Sequence, residues 1–337
     1  MAPYPVVMGE ALVDPHGRTV RDLRISVTDR CNLRCTYCMP EEGMQWLPRD
    51  ALLGFEELER VARVCIERFG FTGLRLTGGE PTLRSHLPVL VDKLACLGDG
   101  SHDLALTTNG ITLPLLVDEL AAAGLRRVTV SLDSLRRDRF VALTRRDRLD
   151  QVVEGIEAAL AAGLRPVKVN VVLVRGVNDD EIVDLARFGR DRGATMRFIE
   201  WMPLDGGHDW GADRVVPSRE VVATVGAVWP LEPVTRGSAP AARWRYVDGG
   251  GEIGVVGSVT EPFCSTCDRI RLTAEGMLRA CLFAHREADL RAVLRAGGDD
   301  DAVAEAIRAE VGTKWAGHDI GNISFLRPTR SMSQIGG

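Results

Sequence analysis

The chain has 337 residues, 45% of them hydrophobic, and a formal net charge of −5. That length supports one large α/β domain with an appendage, and the apolar fraction excludes a disordered chain. The acidic balance argues against a general nucleic-acid binder, which is normally basic, and no stretch approaches the about 20 apolar residues of a membrane helix.

Residues 1–20 read as an extended arm. They carry Pro3, Pro5, Glu10 and Asp14 and lack the basic region and apolar run of a secretion signal. The expectation is a cytoplasmic protein, in which the eight cysteines are metal ligands before they are disulfides. Leu23–Val27 alternates and is β-rich, so it reads as the first strand. Phe55–Phe69 has a helical apolar period and Gly70 ends it. The pattern then recurs. Strands are expected at Gly73–Thr77, Asp103–Thr107, Arg127–Leu132, Val167–Val174 and Thr195–Ile199. Helices are expected at His86–Leu97, Leu113–Ala123, Gln151–Ala162 and Asp180–Arg190. Six strands with intervening helices imply parallel pairing with right-handed crossovers. Six units fall short of the eight of a closed barrel, so the fold class is α/β, a partial open (βα)6 barrel or incomplete TIM barrel. From about Trp210 the composition shifts to Pro217, Pro230, Pro233, Pro240 and a Gly249–Gly251 run. The expected division is an arm over 1–20, a barrel over 21–209, and a smaller module over 210–337 that closes the barrel.

Functional groups of parallel α/β folds gather at the C-terminal ends of the strands. The first strand leads into Cys31, Cys35 and Cys38, spaced C-x3-C-x2-C. Three thiolates on a four-iron cubane leave one iron open for chemistry. Zinc competes, but it usually takes four ligands and no local fourth is present. The next strand ends in Gly78-Gly79-Glu80-Pro81, where missing side chains let backbone approach a ligand closely. Other strand ends carry Thr107–Gly110, Ser131–Asp133 and Glu200–Pro203, and Lys168 and Asn170 lie on the fifth strand. Each alone is ordinary turn chemistry; their recurrence on one rim is what points to a site.

Cys264, Cys267 and Cys281 form a second set, C-x2-C-x13-C, with His285 four residues beyond. Spacing alone allows a Cys3His zinc site at least as readily as a second iron–sulfur cluster. Next to it, Arg269 and Arg271 alternate on an extended segment and face one way. Arg24, Arg75 and Lys168 also lie on strands, where a lone cation is costly unless it meets an anion. These five cations predict a polyanionic substrate. Cys65 and Cys96 read as core fillers. His16, His86, His102, His208 and His318 have no ligand-like spacing.

The first cysteine loop, with Tyr37 between its last two ligands and Gly78–Pro81 beyond, resembles the radical S-adenosylmethionine superfamily. With Asp22–Arg30, Arg75–Pro81, Lys168–Asn170, Arg197–Glu200, Met202, Phe263–Arg271 and a Gly336-Gly337 ending added, the chain is similar from about Arg21 onward to the GTP 3′,8-cyclase family of molybdenum cofactor biosynthesis. The resemblance implies two [4Fe–4S] clusters, held by Cys31, Cys35 and Cys38 and by Cys264, Cys267 and Cys281, with His285 a bystander. It implies S-adenosylmethionine at Tyr37, Gly79, Ser131 and Met202, and GTP at Arg24, Arg75, Thr107, Lys168, Arg269 and Arg271. Arg24, Arg269, Arg271 and the tail glycines Gly336 and Gly337 are implied to serve catalysis. It further implies an external electron donor, a downstream cyclic pyranopterin monophosphate synthase, a homodimer, and no nucleic-acid or membrane partner. Two other readings stand beside it: a different two-cluster radical enzyme such as a peptide-modifying maturase, and a non-catalytic zinc or iron–sulfur module.

Overall fold

In the strands that build the barrel wall, apolar and polar residues alternate: Leu23 and Ile25 against Asp22, Arg24 and Ser26; Leu74 and Leu76 against Arg75 and Thr77; Val169 and Val171 against Lys168 and Asn170. A parallel sheet covered on both faces is normally apolar throughout. Alternation therefore means one face packs under helices and the other lines a polar lumen. The computed structural model, which describes residues 9–40, 43–204, 209–320 and 325–336, has that arrangement.

The barrel runs β1 (Asp22–Ser26), α1 (Phe55–Phe69), β2 (Gly73–Thr77), α2 (Leu87–Ala95), β3 (Asp103–Thr108), α3 (Val117–Ala122), β4 (Arg127–Ser131), α4 (Arg137–Thr144), α5 (Leu149–Ala161), β5 (Lys168–Leu173), α6 (Ile182–Arg192) and β6 (Thr195–Glu200). Each strand pairs in parallel with the next, so the six expected strands are present within a residue or two. α1 shows why the local sequence suffices. The Glu57 carboxylate accepts the Gly54 N–H at 2.7 Å, and Gly70, at φ 66°, takes the left-handed C-cap. Leu58, Val61, Ala62, Val64, Cys65 and Phe69 form its buried stripe. Each large apolar side chain buried this way contributes about 1.5–3 kcal/mol.

The C-terminal part continues with α7 (Ser218–Gly226), β7 (Leu231–Val234), β8 (Ala242–Tyr246), β9 (Glu252–Val256), β10 (Arg269–Leu272), β11 (Met277–Arg279), β12 (Ala288–Asp289), α8 (Leu290–Arg295), α9 (Asp300–Val311) and α10 (Met332–Ile335). Its strands do not close the barrel, which corrects that expectation. β9 pairs in parallel with β6, and β10 pairs in parallel with β1. The result is one twelve-stranded sheet in the order β12-β11-β10-β1-β2-β3-β4-β5-β6-β9-β8-β7. Each added parallel strand hands its outer edge to antiparallel partners, so the sheet grows outward on both sides instead of joining its ends.

Residues 9–20 pack on the rest of the chain. Val13 and Thr19 form an antiparallel bridge, and Leu12 and Val20 are buried. Cys65 is core, as expected, but Cys96 is exposed, because α2 ends at Ala95 and Cys96 lies past its last turn.

Candidate active site

The Cys31–Cys38 loop leaves the C-terminal end of β1 and is held from below by the end of β2. Val27 N donates to Thr77 O at 2.9 Å, Gly79 N to Thr28 O at 2.8 Å, and Glu80 N to Arg30 O at 2.7 Å. A Cβ on Gly79 would lie 2.4 Å from the carbonyl oxygens of Asp29 and Arg30, and one on Gly78 would lie 2.4 Å from Thr28 O. The glycines thus admit the backbone that carries the cysteines, a role the sequence analysis assigned to a ligand. Glu80 is fully buried. Its carboxylate accepts from Thr82 N at 3.0 Å, Thr108 Oγ1 at 2.6 Å and Asn109 N at 2.6 Å, tying the ends of β2 and β3 together.

Within the loop, Cys38 N and Met39 N both donate to Cys35 O at 3.0 Å, and Leu33 N donates to Cys31 Sγ at 3.4 Å. Burial raises the Cys35 and Cys38 thiols, Cys38 to about 12, and the neighbouring sulfurs add to this. Three half-buried thiols that oppose one another's ionisation on one loop are a donor set that fits an iron–sulfur cluster, which takes them as thiolates. Tyr37 Oη donates to Asp133 Oδ2 at 2.6 Å, and Val172 N donates to Asp133 Oδ1 at 2.8 Å. Burial lifts the Asp133 carboxyl to about 6. Tyr37 therefore ties the cysteine loop to the rim beyond β4 and to β5. Ser131 ends β4, and Met202 follows β6 by two residues.

Below this rim lies a layer of cations. The register pairs Arg24 with Arg75 on one side and Arg271 on the other, and places Arg269 beside Asp22. Lys168 pairs with Thr129, whose other neighbour is Thr107. Sequence reasoning left Arg127 and Arg197 out of the site, although both sit on strands as Arg75 does. The charges report the crowding. Burial, then Arg197, Arg127 and Arg75, pushes Lys168 down to about 7. Burial, then Arg75 and Arg127, pushes Arg197 down to about 9. Arg24 is lowered well below the usual guanidinium range by burial and then by Arg271, Arg269 and Arg75. Among the described residues, the Nε atoms of Arg24, Arg75, Arg127 and Arg269 are buried without a hydrogen-bond partner. Asp22 pairs with Arg24 and Asp103 with Arg127, which leaves an excess of positive charge that favours an anionic ligand.

Cys264 and Cys267 precede β10, which runs parallel to β1, and Cys281 follows the antiparallel β11. Topology therefore puts this triad at the end of the barrel opposite the Cys31–Cys38 loop. The levels of Asp22 and Ser26 on β1 are about 13 Å apart at the usual strand rise. Cys264 feels both Cys267 and Cys281 electrostatically, and Arg269 and Lys314 hold the Cys267 thiol down at about 7 against burial. This donor set also fits a thiolate-bound centre. His285 lays its ring against Trp315 at 5.7 Å, and no three His, Cys, Asp or Glu side chains among the described residues group as ligands of a single ion. The tail enters from the other side. Gly336, at φ 85°, has no room for a side chain: a Cβ would lie 2.9 Å from Thr77 Cγ2 and 3.2 Å from Ser26 Cβ. Its carbonyl accepts from the Arg271 guanidinium. Gly337 and His208 lie outside the described residues.

An open parallel barrel with three cysteines on the loop after its first strand defines a radical S-adenosylmethionine protein. The Radical SAM superfamily profile matches residues 25–189, and the Molybdenum Cofactor Synthesis C profile matches residues 194–320. A GTP 3′,8-cyclase 2 of Mycobacterium tuberculosis (strain ATCC 25618 / H37Rv) is 50% identical over 333 residues, covering 97% of this chain and 92% of its own. A GTP 3′,8-cyclase of Mycolicibacterium smegmatis is 48% identical over 332 residues, with 97% and 92% covered. The chain belongs to the GTP 3′,8-cyclase family, radical S-adenosylmethionine enzymes of molybdenum cofactor biosynthesis, whose membership brings a [4Fe–4S] cluster and S-adenosylmethionine. The crystal structure of Streptococcus suis SuiB bound to S-adenosylmethionine superposes with a TM-score of 0.60 at 14% identity, over 87% of this chain and 69% of that one. That likeness concerns the fold alone.

Proposed function

We propose that this chain converts GTP into (8S)-3′,8-cyclo-7,8-dihydroguanosine 5′-triphosphate, the first step of molybdenum cofactor biosynthesis. The observation that carries this is the cation layer lying between two cysteine triads, in which the Nε atoms of Arg24, Arg75, Arg127 and Arg269 are buried without a hydrogen bond among the described residues. Cys31, Cys35 and Cys38 hold one [4Fe–4S] cluster, and Cys264, Cys267 and Cys281 hold a second. Bound at the first triad, the cluster and S-adenosylmethionine supply a hydrogen-abstracting carbon radical by one-electron reductive cleavage.

The protein's own residues do the rest. Arg24, Arg75, Lys168, Arg269 and Arg271 bind the triphosphate, and Thr107 lies beside them. Guanidinium forks match phosphate oxygens, so the ribose is held rather than merely attracted. Joining C3′ of the ribose to C8 of the base requires the base folded over the sugar, and the phosphate anchor holds the ribose for that geometry. Tyr37, Gly79, Ser131 and Met202 line the S-adenosylmethionine side. Gly336, whose carbonyl meets Arg271, brings the tail over the substrate and excludes water. An external electron donor, a downstream cyclic pyranopterin monophosphate synthase, a homodimer, a cytoplasmic location and the division at residues 20 and 209 belong to the same reading. No helix among the described residues is long and apolar enough to cross a membrane.

Anaerobically prepared protein with about eight irons per chain, given GTP, S-adenosylmethionine and dithionite, is expected to release 5′-deoxyadenosine together with a cyclised nucleotide. The absence of GTP-dependent 5′-deoxyadenosine would rule the reading out.

A further inference from the structure

The turn over residues 12–20 has no part in the chemistry just described, yet it reaches the second cysteine triad. Arg18 is its means. The guanidinium is almost wholly buried and is oriented by Asp14, whose Oδ2 accepts from Arg18 Nε at 2.5 Å. The terminal nitrogens donate to three backbone carbonyls: Cys264 O at 2.6 Å and Ala316 O at 2.9 Å from Nη1, and Trp315 O at 2.5 Å from Nη2. One side chain thus joins the chain near its beginning to a partner 246 residues away and to a third segment behind both.

That third segment wraps the triad. Lys314 Nζ donates to Arg269 O, beside Cys267. Gly317 backs onto Cys264, where a Cβ would sit 3.2 Å from Cys264 Cβ and 3.6 Å from its Sγ. His318 follows, and its ring packs against Phe283 at 5.0 Å. Trp315 and Ala316 give their carbonyls to Arg18. Without a buried donor there, both carbonyls and that of Cys264 lose a partner, and the wrapping segment loses its fixed edge.

We propose that Arg18 is a positioning residue for the second cluster, pinning the Cys264 loop and the 314–318 segment in the arrangement that presents Cys264, Cys267 and Cys281 together. The inference rests on the reading of these cysteines as the ligands of that cluster. Outer-shell groups that orient ligands typically change metal affinity 10–100-fold when removed.

The test uses the full chain with Cys31, Cys35 and Cys38 replaced by alanine, so that only the second cluster remains. With Arg18 intact this protein should hold about four irons; if it holds none, the ligand reading itself fails. Arg18→Gln in that background is expected to lose iron to a chelator roughly tenfold faster or more, with Arg18→Lys partly restoring retention. The companion chain lacking Cys264, Cys267 and Cys281 should lose its iron at an unchanged rate on Arg18→Gln. Unchanged release from the second triad, or equal acceleration at both, overturns the proposal. If Arg18→Gln does not accumulate as folded protein, Asp14→Asn gives the same comparison, because it keeps the guanidinium and removes only the carboxylate that orients it.

Discussion

Arg271 lies between two acceptors, the Gly336 carbonyl above it and any anion in the lumen, and it ligates neither cluster. Arg271→Ala should weaken GTP binding by about 2 kcal/mol, roughly thirtyfold, as expected for a charge-assisted bond. Calorimetric titration measures this, and iron content should stay at the wild-type value. A parallel fall in iron would move Arg271 out of the substrate site. Lys168 makes a second prediction. With its free-state value near 7, it is largely neutral above that pH, and a bound triphosphate favours the charged form. GTP binding should therefore take up a proton near and above pH 7 and weaken as pH rises through that range. Titrations in buffers of different ionisation enthalpy read the uptake, and Lys168→Met should abolish it. Arg24, Arg75 and Lys168 were legible because a charge on a strand is conspicuous. Arg127 and Arg197 carried the same signal and were missed: Arg127 had no motif beside it, and Arg197 was read only as part of the Arg197–Glu200 segment, not as a lumen cation. Arg18 carried none: its acceptors are backbone carbonyls, which no residue pattern reveals.

Among the elements, buried carboxylates fasten the strand ends. Glu80 joins β2 to β3. Glu181 accepts from Ser134 Oγ at 2.7 Å and Leu135 N at 2.9 Å, and Glu200 accepts from Ser218 N at 2.8 Å and Val259 N at 2.7 Å. The rim is thereby rigid where the site residues stand. Gly79→Ala tests this rigidity. Its Cβ would meet two carbonyl oxygens at 2.4 Å, so the backbone before Cys31 must shift. The expected result is loss of iron from the first triad with the second retained, read from iron content in the two single-triad backgrounds. Equal retention at both would show that the loop yields harmlessly. The strands and α1 were legible because alternation and caps are local. α3 was legible as a helix but not where it starts, because Pro114 opens a separate turn over Leu113–Leu115 and Leu116, at φ −127°, interrupts the expected Leu113–Ala123 helix before Val117. α4 escaped notice because it buries only Phe140, Leu143 and Thr144. The sheet edges were illegible for a different reason: which strand adds to β1 or β6 is decided by long-range pairing, not by any property of the strand alone.

At the scale of the molecule, a chain of net charge −5 surrounds a lumen lined with cations. The sign of the whole therefore says little about the ligand, and the sign of the strands says much. The pairing of β10 with β1 has a further consequence, for how the protein comes into being. During synthesis β1 emerges early and β10 near the end, so the edge of β1 stays unpaired while most of the chain is made. Closing so long a loop is slow, and an open parallel edge invites other chains. A chain ending at residue 262, before the second triad, is expected to accumulate as aggregate where the full chain stays dispersed. Sedimentation of the two products after matched expression measures this, and an equally dispersed fragment would refute it. Since β10 carries Arg269 and Arg271 and follows Cys267, the strand that relieves this hazard also completes the substrate site, so a nascent chain acquires its safe edge and its full cation layer in the same event.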